Sequence, residues 1–113
     1  MSDGLRIATQ DADALRDFAR KVRALLGPQL VEIRLYGSKA RGEDAPDSDI
    51  DVAVVVRGTS TEIEDQVLDI AFEVNLAYGV YISPRVIPHA VLDDPVWKLT
   101  PFLQAIQKDG VLL

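Results

Sequence analysis

Apolar residues recur at Leu15, Phe18, Ala19, Val22, Leu25 and Leu26, a spacing that puts them on one face of a helix. Thr9 stands before this run as its N-cap, with Asp11 and Asp13 in the first turn, where the helix dipole favours acid. Gly27-Pro28 stops the helix. The period then changes. Leu30 to Tyr36 sets Val31, Ile33 and Leu35 against Leu30, Glu32 and Arg34, which is a strand with one buried face. Asp49 to Val56 predicts a second strand, and its run Val52-Ala53-Val54-Val55-Val56 suits a central position buried on both sides. Thr61 and Glu64 have capping-box spacing. Ile63, Val67, Leu68, Ile70, Ala71 and Val74 then predict a helix that ends at Gly79. Val80 to Ile87 reads as a third strand, confined by Pro84 to a sheet edge or a bulge. Thr100-Pro101 opens a last helix with Phe102, Leu103 and Ile106 on its apolar side. Gly110 ends it, and Val111-Leu112-Leu113 predicts a short final strand.

The order α, β, loop, β, α, β, α predicts a small α/β or α+β fold with a sheet of three or four strands. At 113 residues and 48% hydrophobic, the chain is expected to form one domain over residues 1–113 with a real core. It has no cysteine, which excludes a disulfide scaffold, a thiolate metal site and a cysteine nucleophile. No apolar run approaches the roughly 18 to 20 residues that a membrane span needs. Met1-Ser2-Asp3-Gly4 lacks the basic-then-apolar order of a signal peptide, so the expectation is a cytoplasmic protein.

Charge narrows the function. Twelve basic and 18 acidic side chains give a net charge of −6. That balance argues against non-specific binding to nucleic acid, which needs clustered Lys and Arg. The acid is uneven: Glu43, Asp44, Asp47, Asp49 and Asp51 crowd one short stretch. Such density marks a solvated loop or a cation site.

The informative segment is Tyr36-Gly37-Ser38-Lys39-Ala40-Arg41-Gly42, followed by Asp47-Ser48-Asp49-Ile50-Asp51-Val52. Asp49 and Asp51 lie two apart on a predicted strand, so both carboxylates are expected on one face. Paired carboxylates beside an apolar strand are costly unless a cation or hydrogen bonds compensate them. Hard oxygen donors suit Mg²⁺, which is typically held by one or two carboxylates plus substrate phosphates. Gly37 lets a ligand approach the backbone, and the Ser38 hydroxyl and following N–H groups can donate to phosphate. A calcium loop is rejected, because its required glycine is Val52 and its bidentate glutamate is Gly58. A Walker phosphate loop is absent.

Gly37-Ser38, ten intervening residues and Asp49-Ile50-Asp51 resemble the signature of the DNA polymerase β-like nucleotidyltransferase superfamily. The fuller string, Gly37 to Gly42 with Ser48 to Asp51, resembles the minimal nucleotidyltransferases (MNT). Many of these act as antitoxins beside a HEPN-domain toxin. The resemblance covers essentially the whole chain and implies a mixed sheet with helices on one side. It further implies Asp49 and Asp51 as catalytic metal ligands for Mg²⁺, and Gly37, Ser38, Lys39 and Arg41 as nucleotide-binding residues. The implied reaction moves a nucleotidyl group, AMP from ATP or another NTP, onto a hydroxyl of a partner protein. The implied partner is a HEPN-domain toxin, in a homo- or hetero-oligomer. An alternative is a degenerate member that neutralises its partner by binding alone.

One departure stands out. Active members usually carry a third carboxylate on the strand after the long helix. Here Val80 to Ile87 contains no acid, and the position falls at Ile82 or Ser83, with Glu73 a candidate to substitute in space. Arg41 could equally pair with Glu43 or Asp47, and Arg85 could face either side of its strand. His89 reads as a surface residue, Trp97 as a packing residue, and Tyr36, Tyr78 and Tyr81 as half-buried.

Overall fold

The computed structural model describes residues 9–37 and 49–113. Helix α1 (Thr9–Leu26) leads through a short 3-10 turn into strand β1 (Leu30–Tyr36). Strand β2 (Ile50–Val56), helix α2 (Thr61–Tyr78) and strand β3 (Ile82–Pro88) follow. Two further 3-10 turns precede helix α3 (Pro101–Asp109) and strand β4 (Val111–Leu112). The four strands form one sheet in the order β3-β2-β1-β4. β1 runs antiparallel to both β2 and β4, and β2 runs parallel to β3.

β2 is central and almost wholly buried, as its unbroken apolar run from Val52 to Val56 demands. Its alternate residues feed two cores. Val52, Val54 and Val56 join Ile33 and Leu35 of β1 under Phe18 and Val22 of α1 and Val67 and Val74 of α2. On the other face, Ala53, Tyr36 and Ile87 pack under Leu103 and Ile106 of α3. Helices therefore cover both faces, which corrects the expectation of helices on one side. The physical reason is the strand period: a central strand that is apolar on both faces must be covered twice.

Local signals fix the ends. Thr9, the first described residue, already lies within α1 rather than before it as its N-cap. The N-cap of α2 is Ser60, whose hydroxyl accepts from the Ile63 N–H at 3.2 Å, so Thr61 lies inside the helix and not at its cap. Gly79 ends α2 in the left-handed region at φ 67°. Thr100 caps α3 through the Leu103 N–H, with Pro101 in the first turn. Pro84 sits in edge strand β3. Two aromatic expectations change. Tyr81 is exposed and Tyr36 is buried, whereas both were expected half-buried; Trp97 is half exposed rather than packed. Among the described residues, no helix is long and apolar enough to cross a membrane.

Candidate active site

Three strands meet at one end of the sheet. β1 arrives there at Tyr36, and β2 and β3 both depart from it. In the antiparallel pair Tyr36 lies opposite Asp51, and in the parallel pair Asp51 lies level with Ser83. Asp51 is thus flanked by known neighbours on both sides. Asp49 stands one residue before β2, which begins at Ile50, and its side chain is exposed. It lines a shallow hollow with Leu68, Asn75, Tyr81 and Ser83.

Gly37 follows β1 with φ 79°, a conformation that L side chains rarely adopt. A Cβ there would lie 2.6 Å from Asp51 Oδ2. Glycine is therefore required twice, by the turn and by the carboxylate behind it. This close approach of the Gly37 backbone to the Asp51 carboxylate is the structural expression of the spacing between the two residues.

Electrostatics follow from the packing. Burial pushes the Asp51 carboxyl above the ordinary carboxylate value, the Asp49 charge pushes it the same way, and Arg85 opposes them. A partly buried carboxylate made costlier by a second one nearby is a place for a cation. Among the described residues, no cluster of three or more His, Cys, Asp or Glu is placed to hold a metal. A two-carboxylate donor set still fits Mg²⁺, which completes its shell with phosphate oxygens and water.

The strand missing a carboxylate supplies a cation instead. Ser83, not Ile82, is the residue level with Asp51; Ile82 is buried in the core of the opposite face. Two residues on, Arg85 reaches the Asp51 side. Its guanidinium lies 5.0 Å from the centre of the Phe102 ring, and its charge favours the ionised form of the Tyr36 hydroxyl. Phe102 meets Tyr36 edge to face at 5.7 Å. Burial and the Asp51 charge raise the Tyr36 hydroxyl above its ordinary value. Sequence reasoning left Arg85 unplaced and gave Tyr36 and Phe102 no part in the site. Their signal was register: the residue opposite Asp51 and the residue two beyond its level. Glu73 does not substitute for the missing acid, since it is exposed on α2 and lies 3.9 Å from Lys21 of α1. His89 is exposed, as expected.

Asn75 of α2 secures the entrance of β3. Its side-chain oxygen accepts from the Ile82 N–H at 2.8 Å, and its amide donates to the Ile82 carbonyl at 3.2 Å. The Ile50 N–H donates to the Tyr81 carbonyl at 2.8 Å. These bonds tie the start of β3 to both α2 and β2 beside Asp49. Ser38, Lys39 and Arg41 lie outside the described residues.

Comparison with known proteins agrees with this geometry. The family model described as "Nucleotidyltransferase domain" matches residues 15–96. MJ0141 of Methanocaldococcus jannaschii, named as an inferred protein adenylyltransferase, is 28% identical over 100 residues, spanning 88% of this chain and 94% of that protein. MJ1305 of the same organism, named likewise, is 34% identical over 73 residues, spanning 62% of this chain and 50% of that protein. Among solved structures, a toxin-antitoxin complex with AMP-PNP aligns at a TM-score of 0.59 with 21% identity, covering 93% of this chain and 72% of that one. A structure described as a minimal nucleotidyltransferase aligns at 0.56 with 22% identity, covering 89% and 94%. These likenesses establish the fold. With a family match over most of its length and the paired carboxylates at the mouth of its sheet, the chain belongs to the nucleotidyltransferase domain family, a family of nucleotidyl-transferring enzymes.

Proposed function

We propose that this protein transfers AMP from ATP to a hydroxyl of a partner protein, and that the partner is the toxin of a HEPN/MNT pair in the cytoplasm. The observation that carries the reading is the close approach of Gly37 to Asp51 Oδ2, with the Asp49 charge acting on the same carboxyl. Support for an adenylyl donor and a protein acceptor comes from the naming of MJ0141, and support for a toxin partner from the toxin-antitoxin complexes of like fold.

Asp49 and Asp51 would hold Mg²⁺, which when bound supplies neutralising charge to the triphosphate. Gly37, which carries no side chain, would let a phosphate approach its backbone. Ser38, Lys39 and Arg41 are assigned to the phosphates on the motif alone. The acceptor oxygen bonds to the α-phosphorus as the bond to the bridging oxygen breaks. Pyrophosphate leaves, and the acceptor proton passes to solvent. Positioning and charge carry most of the acceleration in such a transfer, so a site without a third carboxylate is slower but not idle.

The test is intact-mass measurement of a HEPN-domain protein after incubation with ATP and Mg²⁺. The expected result is one added adenylyl group per acceptor site, absent with Asp49→Ala/Asp51→Ala. An unmodified acceptor, with ATP–Mg²⁺ still raising the melting temperature of this protein, would overturn transfer. Ser83 at the level of Asp51 favours the second reading, a degenerate module that neutralises by binding. In that case Asp49→Ala/Asp51→Ala would leave neutralisation intact.

A further inference from the structure

α2 carries a face that the fold does not use. Leu68, Phe72 and Leu76 recur every four residues and are 53%, 64% and 71% exposed. That spacing makes one continuous stripe along the helix. Tyr81, 63% exposed, prolongs it beyond the helix end. Isolated exposed apolar residues are ordinary, but four in one line form a patch of the kind that marks an interaction surface. Its position is informative. Leu68 and Tyr81 line the same hollow as Asp49, so the stripe runs directly into the candidate active site.

Charge says what kind of molecule covers it. Asp65 and Asp69 also stand four residues apart and run alongside the stripe, both exposed, while Glu73, next in their line, lies 3.9 Å from Lys21 of α1. A second copy of this chain docked by the same face would set acidic rim against acidic rim. Nucleic acid would be repelled for the same reason. The complementary surface is an apolar ridge with Lys or Arg beside it, which an amphipathic helix supplies in its simplest form. We propose that the α2 stripe is the docking face for the acceptor protein: an amphipathic helix with a basic rim seats on Leu68, Phe72 and Leu76 and brings its neighbouring hydroxyl to Asp49. This rests on the reading that the acceptor is a protein.

The test uses two synthetic amphipathic helical peptides with the same leucine ridge, one rimmed with Lys and the other with Glu. Binding is read by fluorescence anisotropy and mapped by backbone amide shifts. The Lys-rimmed peptide should bind about tenfold or more tightly than its Glu-rimmed twin and should shift amides between Leu68 and Tyr81. Phe72→Ser/Leu76→Ser should lose that binding while keeping its melting temperature, since both side chains are exposed. Asp65→Asn/Asp69→Asn should erase the preference between the peptides. Equal binding of the two peptides, no binding of either, or unchanged binding by Phe72→Ser/Leu76→Ser would overturn the proposal. So would a concentration-dependent dimer that Phe72→Ser/Leu76→Ser disperses, which would give the face to a second copy. The two readings fail separately. If Asp49→Ala/Asp51→Ala binds the Lys-rimmed peptide normally while the wild type transfers nothing, docking stands and transfer falls.

Discussion

Gly37 and Asp51 are packed so closely that no side chain fits between them: a Cβ on residue 37 would sit 2.6 Å from Asp51 Oδ2. The turn at φ 79° and the carboxylate therefore specify the same residue for different reasons. Gly37→Ala should pay both terms. The left-handed backbone alone costs an L residue about 1–2 kcal/mol. A fall in melting temperature of roughly 5–10 °C is expected. Because the added methyl displaces the Asp51 carboxylate, the stabilisation by ATP–Mg²⁺ should vanish as well. For the wild type, ligand at about 100 times its dissociation constant adds about 2.7 kcal/mol. Thermal unfolding with and without ATP–Mg²⁺ measures both effects. A destabilised variant that keeps the full ligand response would show that Gly37 serves only the turn.

Ser83 offers the converse change. It is exposed and level with Asp51 on the neighbouring parallel strand, so its side chain leaves the sheet on the same face. Ser83→Asp should add the carboxylate that the family usually places on this strand. The expected outcome is about a tenfold fall in the Mg²⁺ concentration needed for half-maximal ATP binding. Without Mg²⁺ the variant should be less stable than the wild type, since a third acid then joins Asp49 and Asp51. A Mg²⁺ titration followed by melting temperature decides it. An unchanged midpoint would mean that Arg85, two residues on, holds the new carboxylate away from the metal.

The site's residues were more legible in the sequence than their company. Gly37, Asp49 and Asp51 carry their chemistry in residue type and spacing, and these survive any small error in element ends. β2 was legible for a similar reason, because an unbroken apolar run from Val52 to Val56 has only one comfortable place. Arg85, Tyr36 and Phe102 were not. Which strand pairs with which, and in what register, depends on contacts across the sheet that no local window contains. The second layer was hidden the same way: Ala53 and Ile87 look like ordinary core residues until α3 is seen to cover them. Ser60 against Thr61 is a smaller lesson, since adjacent hydroxyl residues can each cap a helix and only the backbone angle at Ser60 selects between them.

Asp17 supplies a pH dependence remote from the site. The Arg20 guanidinium, 2.5 Å away, holds its carboxyl below the ordinary value. Burial works against this, while the Lys21 and Arg20 charges and the Tyr78 hydroxyl lower it further. A folded-state value below the unfolded one gives stability that is present above the unfolded value. That stability is lost as the pH falls through the folded one. Asp17→Asn should accordingly melt below the wild type at pH 7, and the two curves should converge once the pH has fallen below the ordinary carboxylate range. Added salt should narrow the gap at pH 7, because the pairs are near the surface. Curves that stay parallel from pH 7 to pH 3 would assign the difference to packing rather than charge.

Asn75 is the residue on which the edge of the site depends mechanically. β3 is an edge strand, and at Ile82 its outward N–H and C=O have no strand to meet. The Asn75 side chain answers both, acting as a one-residue substitute for a neighbouring strand. Asn75→Ala would leave two partly buried backbone groups without these partners, at a cost of about 1–3 kcal/mol. Most of the fold should survive, because the valine core of β2 and its cover by α1 do not involve Asn75. The loss should be local: amide exchange at Ile82 and Ser83 should accelerate well before exchange in β2. Asp49 shares a hollow with Asn75 and Ser83, so ATP–Mg²⁺ binding should weaken in step with that local opening. Hydrogen exchange on Asn75→Ala, compared with Asn75→Asp, separates the two bonds. The aspartate keeps the acceptor for the Ile82 N–H but not the donor to its carbonyl, and should fall between wild type and alanine. Uniformly faster exchange across β2 and β3 would instead show that the clamp supports the whole sheet.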